Sequence, residues 1–480
     1  MTYRSRMLIV SSIGLAATAG IGLYAYFGVY VHGREEHLAQ SISRLVLGDF
    51  DKQRVVRIEL ERKDELAVLV RAGVDSHQLP AWRMEKPVES DADGLEINSL
   101  LGVLAGLESR RSLPAADPGS LDRYGLAPPR VLWRLRFEDG SGAELRVGKV
   151  NPFDRSLYLQ PGAGREILVA EGYLDRALDK RVFDLRQKRL LVVEPAHVDE
   201  LVLKKRSTRI ALRRHAVGWQ IVEPVQDRAD DDRVRSILQL LRNLQALRFI
   251  DRPASLAGYG LDSPALELHV RTGESWQRVA LAEGSLEVNR DKAFARVLPD
   301  GATIEVRRHV VGSLDRSLFD LQAKAPLVFE RSAVYRIKST TRDGLLVLER
   351  SDPPEGAAGE TPSWSLVSPR PAGAKAYRVH AFLTALAGLR AVRFCGDKGT
   401  GELSRFGLAP PARSISLFDK NGQSLGELRL GGQETEGVHA VGSSRPQICL
   451  LPLAAIRRLP LDPDSFLDEP AGPHRVREKP

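Results

Sequence analysis

Trp219-Gln220-Ile221-Val222-Glu223-Pro224, near the middle of the chain, reads as a short strand that ends where a proline withholds the amide hydrogen a ladder requires. The same arrangement occurs three times. Trp82, Trp219 and Trp364 each stand five residues before Pro87, Pro224 and Pro369, and each is followed at a spacing of twenty-nine by Arg111, Arg248 and Arg393. Shortly after each arginine comes an aromatic-Gly-Leu-x-x-Pro signature: Tyr124-Gly125-Leu126 with Pro129, Tyr259-Gly260-Leu261 with Pro264, and Phe406-Gly407-Leu408 with Pro411. A fixed spacing of that length is hard to reach by chance, so the chain reads as three copies of one module.

Periodicity gives each copy an outline. Two short apolar strands lead in, as at Val55 to Leu60 and Leu66 to Val70 of the first copy, and the tryptophan strand follows. A helix comes next. Val234, Ile237, Leu238, Leu241, Leu244 and Leu247 recur at helical spacing in copy two, with Asp230, Asp231 and Asp232 placed to cap free amides. Copies one and three repeat the apolar face through Ile97, Leu100, Leu101, Leu104 and Leu107, and through Val379, Phe382, Leu383, Leu386 and Leu389. The repeated arginine is expected at the C-terminal end of this helix, where a cation suits the helix dipole.

The signature glycine is expected to supply a backbone angle that other residues resist, and its proline to fix entry into further strands. A closing segment then carries Phe183-Asp184-Leu185, Phe319-Asp320-Leu321 and a looser Phe466-Leu467-Asp468, and an acidic residue, Asp51, Glu194 or Glu330, stands ahead of each opening strand. The fold expected is α+β: a single N-terminal transmembrane helix followed by three tandem modules, each an antiparallel sheet with one packed amphipathic helix. The modules are placed at 32–190, 191–327 and 328–470, with a polar tail at 471–480. At 480 residues and 43% hydrophobic content the chain can fill three such cores.

From Met7 to Val31 there are twenty-five residues without a charged side chain, and about 20 suffice to cross a bilayer as a helix. Arg4 and Arg6 precede this run while Arg34, Glu35 and Glu36 follow it, so residues 1–6 are expected in the cytoplasm and the bulk of the chain outside it, in a single-pass inner-membrane topology. A signal peptide cleaved after Ala17-Thr18-Ala19 is the competing reading. Cleavage there leaves Gly20 to Val31 as an exposed apolar stub, which favours an uncleaved anchor.

This pattern resembles the domain-of-unknown-function 4340 family, bacterial envelope proteins whose modules carry a tryptophan strand, a proline, an amphipathic helix and a Tyr-Gly-Leu-x-x-Pro turn. Trp82, Pro87, Tyr124 to Leu126 and Pro129 carry the clearest likeness, and Phe406 departs from it. The resemblance implies a membrane-tethered extracytoplasmic protein associated with ABC-type transporter subunits, and it brings no catalytic residues.

Chemistry is sparse. There is no G-x-S-x-G elbow, no G-x-x-x-x-G-K-[ST] loop and no H-E-x-x-H, and the ten histidines are scattered without metal-ligand spacing. No catalytic, metal or cofactor-binding residue is therefore assigned. Gly396 to Gly401 reads as a loop, lacking the strand and helix that nucleotide binding needs.

Arg111, Arg248 and Arg393 admit two readings: contacts to phosphate or carboxylate groups of a partner, or pairing with Asp51, Glu194 or Glu330 to lock helix to sheet. The structural reading is favoured. Lys204, Lys205, Arg206, Arg213 and Arg214 form the densest basic stretch on a predicted hairpin, open to anionic lipid or glycan or simply solvated; an external location removes nucleic acid as a ligand. Cys395 and Cys449, alone in the chain, are expected to form a disulfide in an oxidising compartment, with two small buried hydrophobes as the alternative. The function expected is a non-catalytic membrane-anchored scaffold or accessory subunit beside an ABC-type envelope transport system, with a binding module for anionic glycan or lipid as the alternative.

Overall fold

The computed structural model describes residues 45–467, apart from 75–79, 114–117, 163, 165, 286–289, 343, 354–361, 398, 446 and 461. The expected anchor at 7–31 and tail at 471–480 lie outside the described residues. Among those described, no helix is long and apolar enough to cross a membrane.

Three nine-stranded antiparallel sheets, one per copy, share a single strand order. In the first copy a meander moves outward from the centre through Val55–Glu61, Leu66–Val74, the tryptophan strand Pro80–Lys86 and the edge strand Ser90–Asp91. Helix α1 (Gly94–Ala105) then carries the chain to the opposite edge, where Arg111–Leu113 is the outermost strand. A second meander starts again at the centre with Val131–Phe137, which pairs with the opening strand in the register Ile58↔Leu135 and Leu60↔Trp133, and works outward through Gly142–Val150, Leu157–Pro161 and Ile167–Ala170. Helices α2 (Asp231–Arg242) and α3 (Ala376–Ala387) occupy the same place in copies two and three.

Alternation along the strands gives each sheet one face for its helix. In copy one Ile58, Leu60, Leu69, Met84 and Trp133 are fully covered and join Ile97, Leu100, Leu101 and Leu104 of α1 in one core cluster. Burying a large apolar side chain of this kind contributes about 1.5–3 kcal/mol. The helical faces read from sequence are the buried ones, with one correction: Leu247, five residues past the end of α2 at Arg242, is half exposed, although Leu244, also past that end, is buried. Asp93 caps α1 through the Glu96 amide, and Asp230 caps α2 through the Arg233 amide, whereas Lys375 at the start of α3 makes no side-chain cap.

Two compact units divide the described chain. The first takes the residues up to Glu194 with Leu240–Glu267 and Gln277–Val311; the second takes Pro195–Gln239, Leu268–Trp276 and the residues from Gly312 onward. The middle sheet contributes strands to each.

Candidate functional site

The repeated signature is architectural. Trp82, Trp219 and Trp364 are 5%, 7% and 4% exposed, which removes them as stacking platforms for a sugar and places them under the helix. Pro87, Pro224 and Pro369, which end the tryptophan strands, all follow cis peptide bonds. Gly125, Gly260 and Gly407 adopt φ of +69°, +71° and +69°, the left-handed conformation that the sequence demands of them. Space is short there as well: a Cβ on Gly260 would meet the Glu283 carbonyl oxygen at 2.5 Å. Leu126, Leu261 and Leu408 are buried, and Pro129, Pro264 and Pro411 each stand two residues before the next strand. The signature aromatics pack on a ring of the outer meander, Tyr124 on Tyr158, Tyr259 on Phe294 and Phe406 on His439, with centroids 4.8, 4.9 and 4.6 Å apart.

Arg111, Arg248 and Arg393 are not on the helices. Each opens the short strand six residues beyond the helix end, because the turn after the helix completes before the arginine is reached. Their partners also differ from those expected. Arg111 faces Asp154 at 3.7 Å and Arg393 meets Glu434 at 3.0 Å, both acids lying in connections between strands, while Arg248 meets its cross-strand partner Glu305 at 3.1 Å; all three guanidinium groups are more than half exposed. Asp51 and Glu330 instead accept amides that start short helical turns, and Glu194 pairs with Arg242.

Three cations of the basic hairpin are paired with acids. Lys205 pairs with Asp315, Arg209 with Glu223 at 2.7 Å and Arg213 with Glu200 at 2.7 Å. Arg214 donates to the carbonyls of Val198 and Pro195 and lies over the Trp219 ring. Lys204 and Arg206 are exposed near the turn. The acidic run is likewise engaged: Asp230 caps α2, Asp231 accepts the Trp219 amide at 2.7 Å, and Asp232 pairs with Arg235. Among the described residues no cluster of His, Cys, Asp or Glu could hold a metal ion.

Two further expectations are corrected. Gly396 to Gly401 is not a plain loop, since a strand runs to Asp397 and a six-residue helix begins at Thr400. Cys395 and Cys449 are free thiols. They lie on neighbouring strands but serve opposite faces: Cys449 packs in the main core, while Cys395 packs with Leu408, Val441 and Ile448, the last being Cys449's own chain neighbour. Burial pushes the Cys449 thiol up to about 12 and raises that of Cys395 as well.

The most built polar groups lie where one module passes to the next, a place that sequence reasoning missed. After the closing helices Val182–Leu185 and Leu318–Leu321, the chain is stitched on two sides. At the first joint the Gln187 amide donates to the Asp91 carbonyl and the Ala246 amide to that of Lys188; at the second, Ala323 donates to Arg228 and Ala391 to Lys324. Lys188 and Lys324 reach back to the carbonyls of Asp184 and Asp320 at 2.7 and 3.1 Å. Phe183 packs on Phe249 and Phe319 on Phe394.

Each joint also seats a buried guanidinium on the second of these rings. Arg186, 4% exposed, lies 3.7 Å from the Phe249 centroid and donates to Asp251 at 2.6 Å. At the second joint the linker residue is Gln322, and Arg445 fills the seat, 4.1 Å from the Phe394 centroid. Asp227 there accepts from Arg445 at 2.5 Å and from Gln322 at 2.8 Å, with both ion-pair side chains 2% exposed. The available signal was the recurrence of Phe-Asp-Leu-x-x-Lys at 183–188 and 319–324.

Comparison with known proteins agrees with the internal repeat. A family model, Domain of unknown function (DUF4340), matches residues 82–219, 219–397 and 364–470, each match opening on one of the three module tryptophans. No curated protein matches the sequence. Among solved structures, a DnaN sliding clamp (DNA polymerase III subunit beta) from Pseudomonas aeruginosa bound to griselimycin aligns over 86% of this chain and 95% of its own, at 9% identity and a TM-score of 0.15, too slight a likeness to carry any argument. With three matches spanning nearly all of the described chain, and the tryptophan, cis-proline and glycine signature in every copy, the protein belongs to the DUF4340 family.

Proposed function

We propose that this protein is a non-catalytic scaffold or accessory subunit, anchored in the inner membrane through residues 7–31, with its modules on the extracytoplasmic side beside an ABC-type envelope transport system. The observation that carries the reading is the joint. Two successive linkers are fixed by backbone hydrogen bonds on both sides and by a buried guanidinium, so neighbouring modules are held and not merely tethered. Such a build suits a part that presents surfaces to other proteins in a set order. The uncharged run of twenty-five residues supports the anchor, and the pairing of three cations of the basic hairpin with acids of the same chain argues against a lipid or glycan surface there.

Affinity purification of the full chain from membranes after mild crosslinking tests the proposal. Recovery of transporter subunits is the expected result; enrichment of glycan or lipid without protein overturns it. For topology, a periplasm-active reporter fused after Pro480 is expected to be active, and inactivity reverses the orientation.

A further inference from the structure

The two joints are built to one plan but differ in one carboxylate. Ser90 and Asp227 are equivalent positions, each on the edge strand opposite the residue two places after the module tryptophan, Met84 in one case and Ile221 in the other. Arg186 and Gln322 are equivalent too, as the first residues after the closing helices and as partners of the bridges Ala92↔Arg186 and Ala229↔Gln322. At the second joint the Asp227 carboxylate receives both the linker side chain and the seated guanidinium. At the first, Arg186 turns Nη1 to Asp251 and leaves Nε unpaired, as Arg445 leaves its own Nε and Nη1 at the second, so what sets the first joint apart is the Ser90 hydroxyl, buried without a hydrogen-bond partner. A buried donor left in that state costs free energy that an acceptor would restore.

Both residues line an open cleft of about 790 Å³, a size suited to a small ligand or a short peptide segment. Four basic and four acidic side chains line it. That balance disfavours a multiply charged phosphate and suits a single carboxylate, which a guanidinium recognises through its planar fork. We infer that the cleft at the first joint is a binding site for a carboxylate group, held by Arg186 and Ser90 in the place that the Asp227 side chain takes at the second joint. The carboxylate comes either from a small organic acid or from an acidic side chain of a peptide.

Calorimetric titration of the purified full-length chain with acetate, with the tripeptide acetyl-Ala-Glu-Ala-amide and with inorganic phosphate tests this, alongside thermal unfolding. One carboxylate probe is expected to bind at one per chain, and which of the two binds identifies the source. Ser90→Ala is expected to weaken binding about tenfold through one lost hydrogen bond. Ser90→Asp, which supplies the carboxylate internally, is expected to abolish binding and to raise the Tm of the unliganded protein. Absence of binding by either carboxylate at about 10 mM, where a Kd near 1 mM would already give saturation, overturns the inference. So does equal binding of phosphate, or unchanged binding in Ser90→Asp.

Discussion

The guanidinium of Arg445 lies 4.1 Å from the ring centroid of Phe394, and its counterpart at the first joint, over Phe249, comes from a different module position altogether. What repeats is the seat and not the residue that fills it. Removing one partner of a fully buried ion pair strands the other, at a cost of about 3–5 kcal/mol. Asp227→Ala is therefore expected to lower the urea midpoint much more than Asp251→Ala, since Asp251 is 31% exposed and water can replace its contact. Equal midpoint shifts would remove burial as the deciding factor.

The signature glycines differ from ordinary turn glycines in having no room. Gly273 also adopts a positive φ, +58°, yet a Cβ there meets nothing within 4 Å, whereas at Gly260 it meets a backbone carbonyl. Gly273→Ala is expected to cost about 1–2 kcal/mol from conformation alone, and Gly260→Ala clearly more. Chemical denaturation of the two variants checks the order.

Cys449 is expected to resist alkylation in the folded protein near neutral pH. Its thiol is pushed up to about 12 by burial, so thiolate, the reactive form, is scarce. Iodoacetamide labelling followed by mass spectrometry should show Cys449 modified only after denaturant is added. Labelling of the native protein at the rate of an exposed thiol would contradict the packing described.

Asp320 accepts from both the hydroxyl and the amide of Ser317, which holds its carboxyl below the usual range. A lowered folded-state pKa means stabilisation that is fully present above the ordinary carboxylate value, about 4, and is lost as the pH falls through the lowered value. Ser317→Ala is expected to destabilise at pH 7 by about 0.5–2 kcal/mol as a lost cap, with the difference from wild type shrinking in acid. A difference that stays constant down to about pH 2, below the range in which carboxylates titrate, would exclude the carboxylate's part.

The tandem plan was legible because its signals are local. Trp219, Pro224 and Gly260 each dictate a conformation within a few residues, and helical spacing marks Val234 through Leu244 as a buried face. The full nine-stranded sheets were less visible, since edge strands such as Asp227–Arg228 are too short to show alternation. Arg248 misled because a helix end and the strand that follows it lie close in sequence. The joints were hidden for a different reason: Asp227 and Arg445 are 218 positions apart, and the guanidinium is supplied by the linker at one joint and by the next module at the other, so comparing the copies residue by residue cancels the pattern.

Amide hydrogen exchange across the two linkers tests the stitched joint most directly. Slow exchange is expected at Gln187, Leu190 and Ala246 in one joint and at Ala323 and Ala391 in the other, comparable to the interior strands they adjoin. Exchange of these amides at the rate of exposed loop residues would contradict it, leaving three copies of a fold with nothing holding each linker in place.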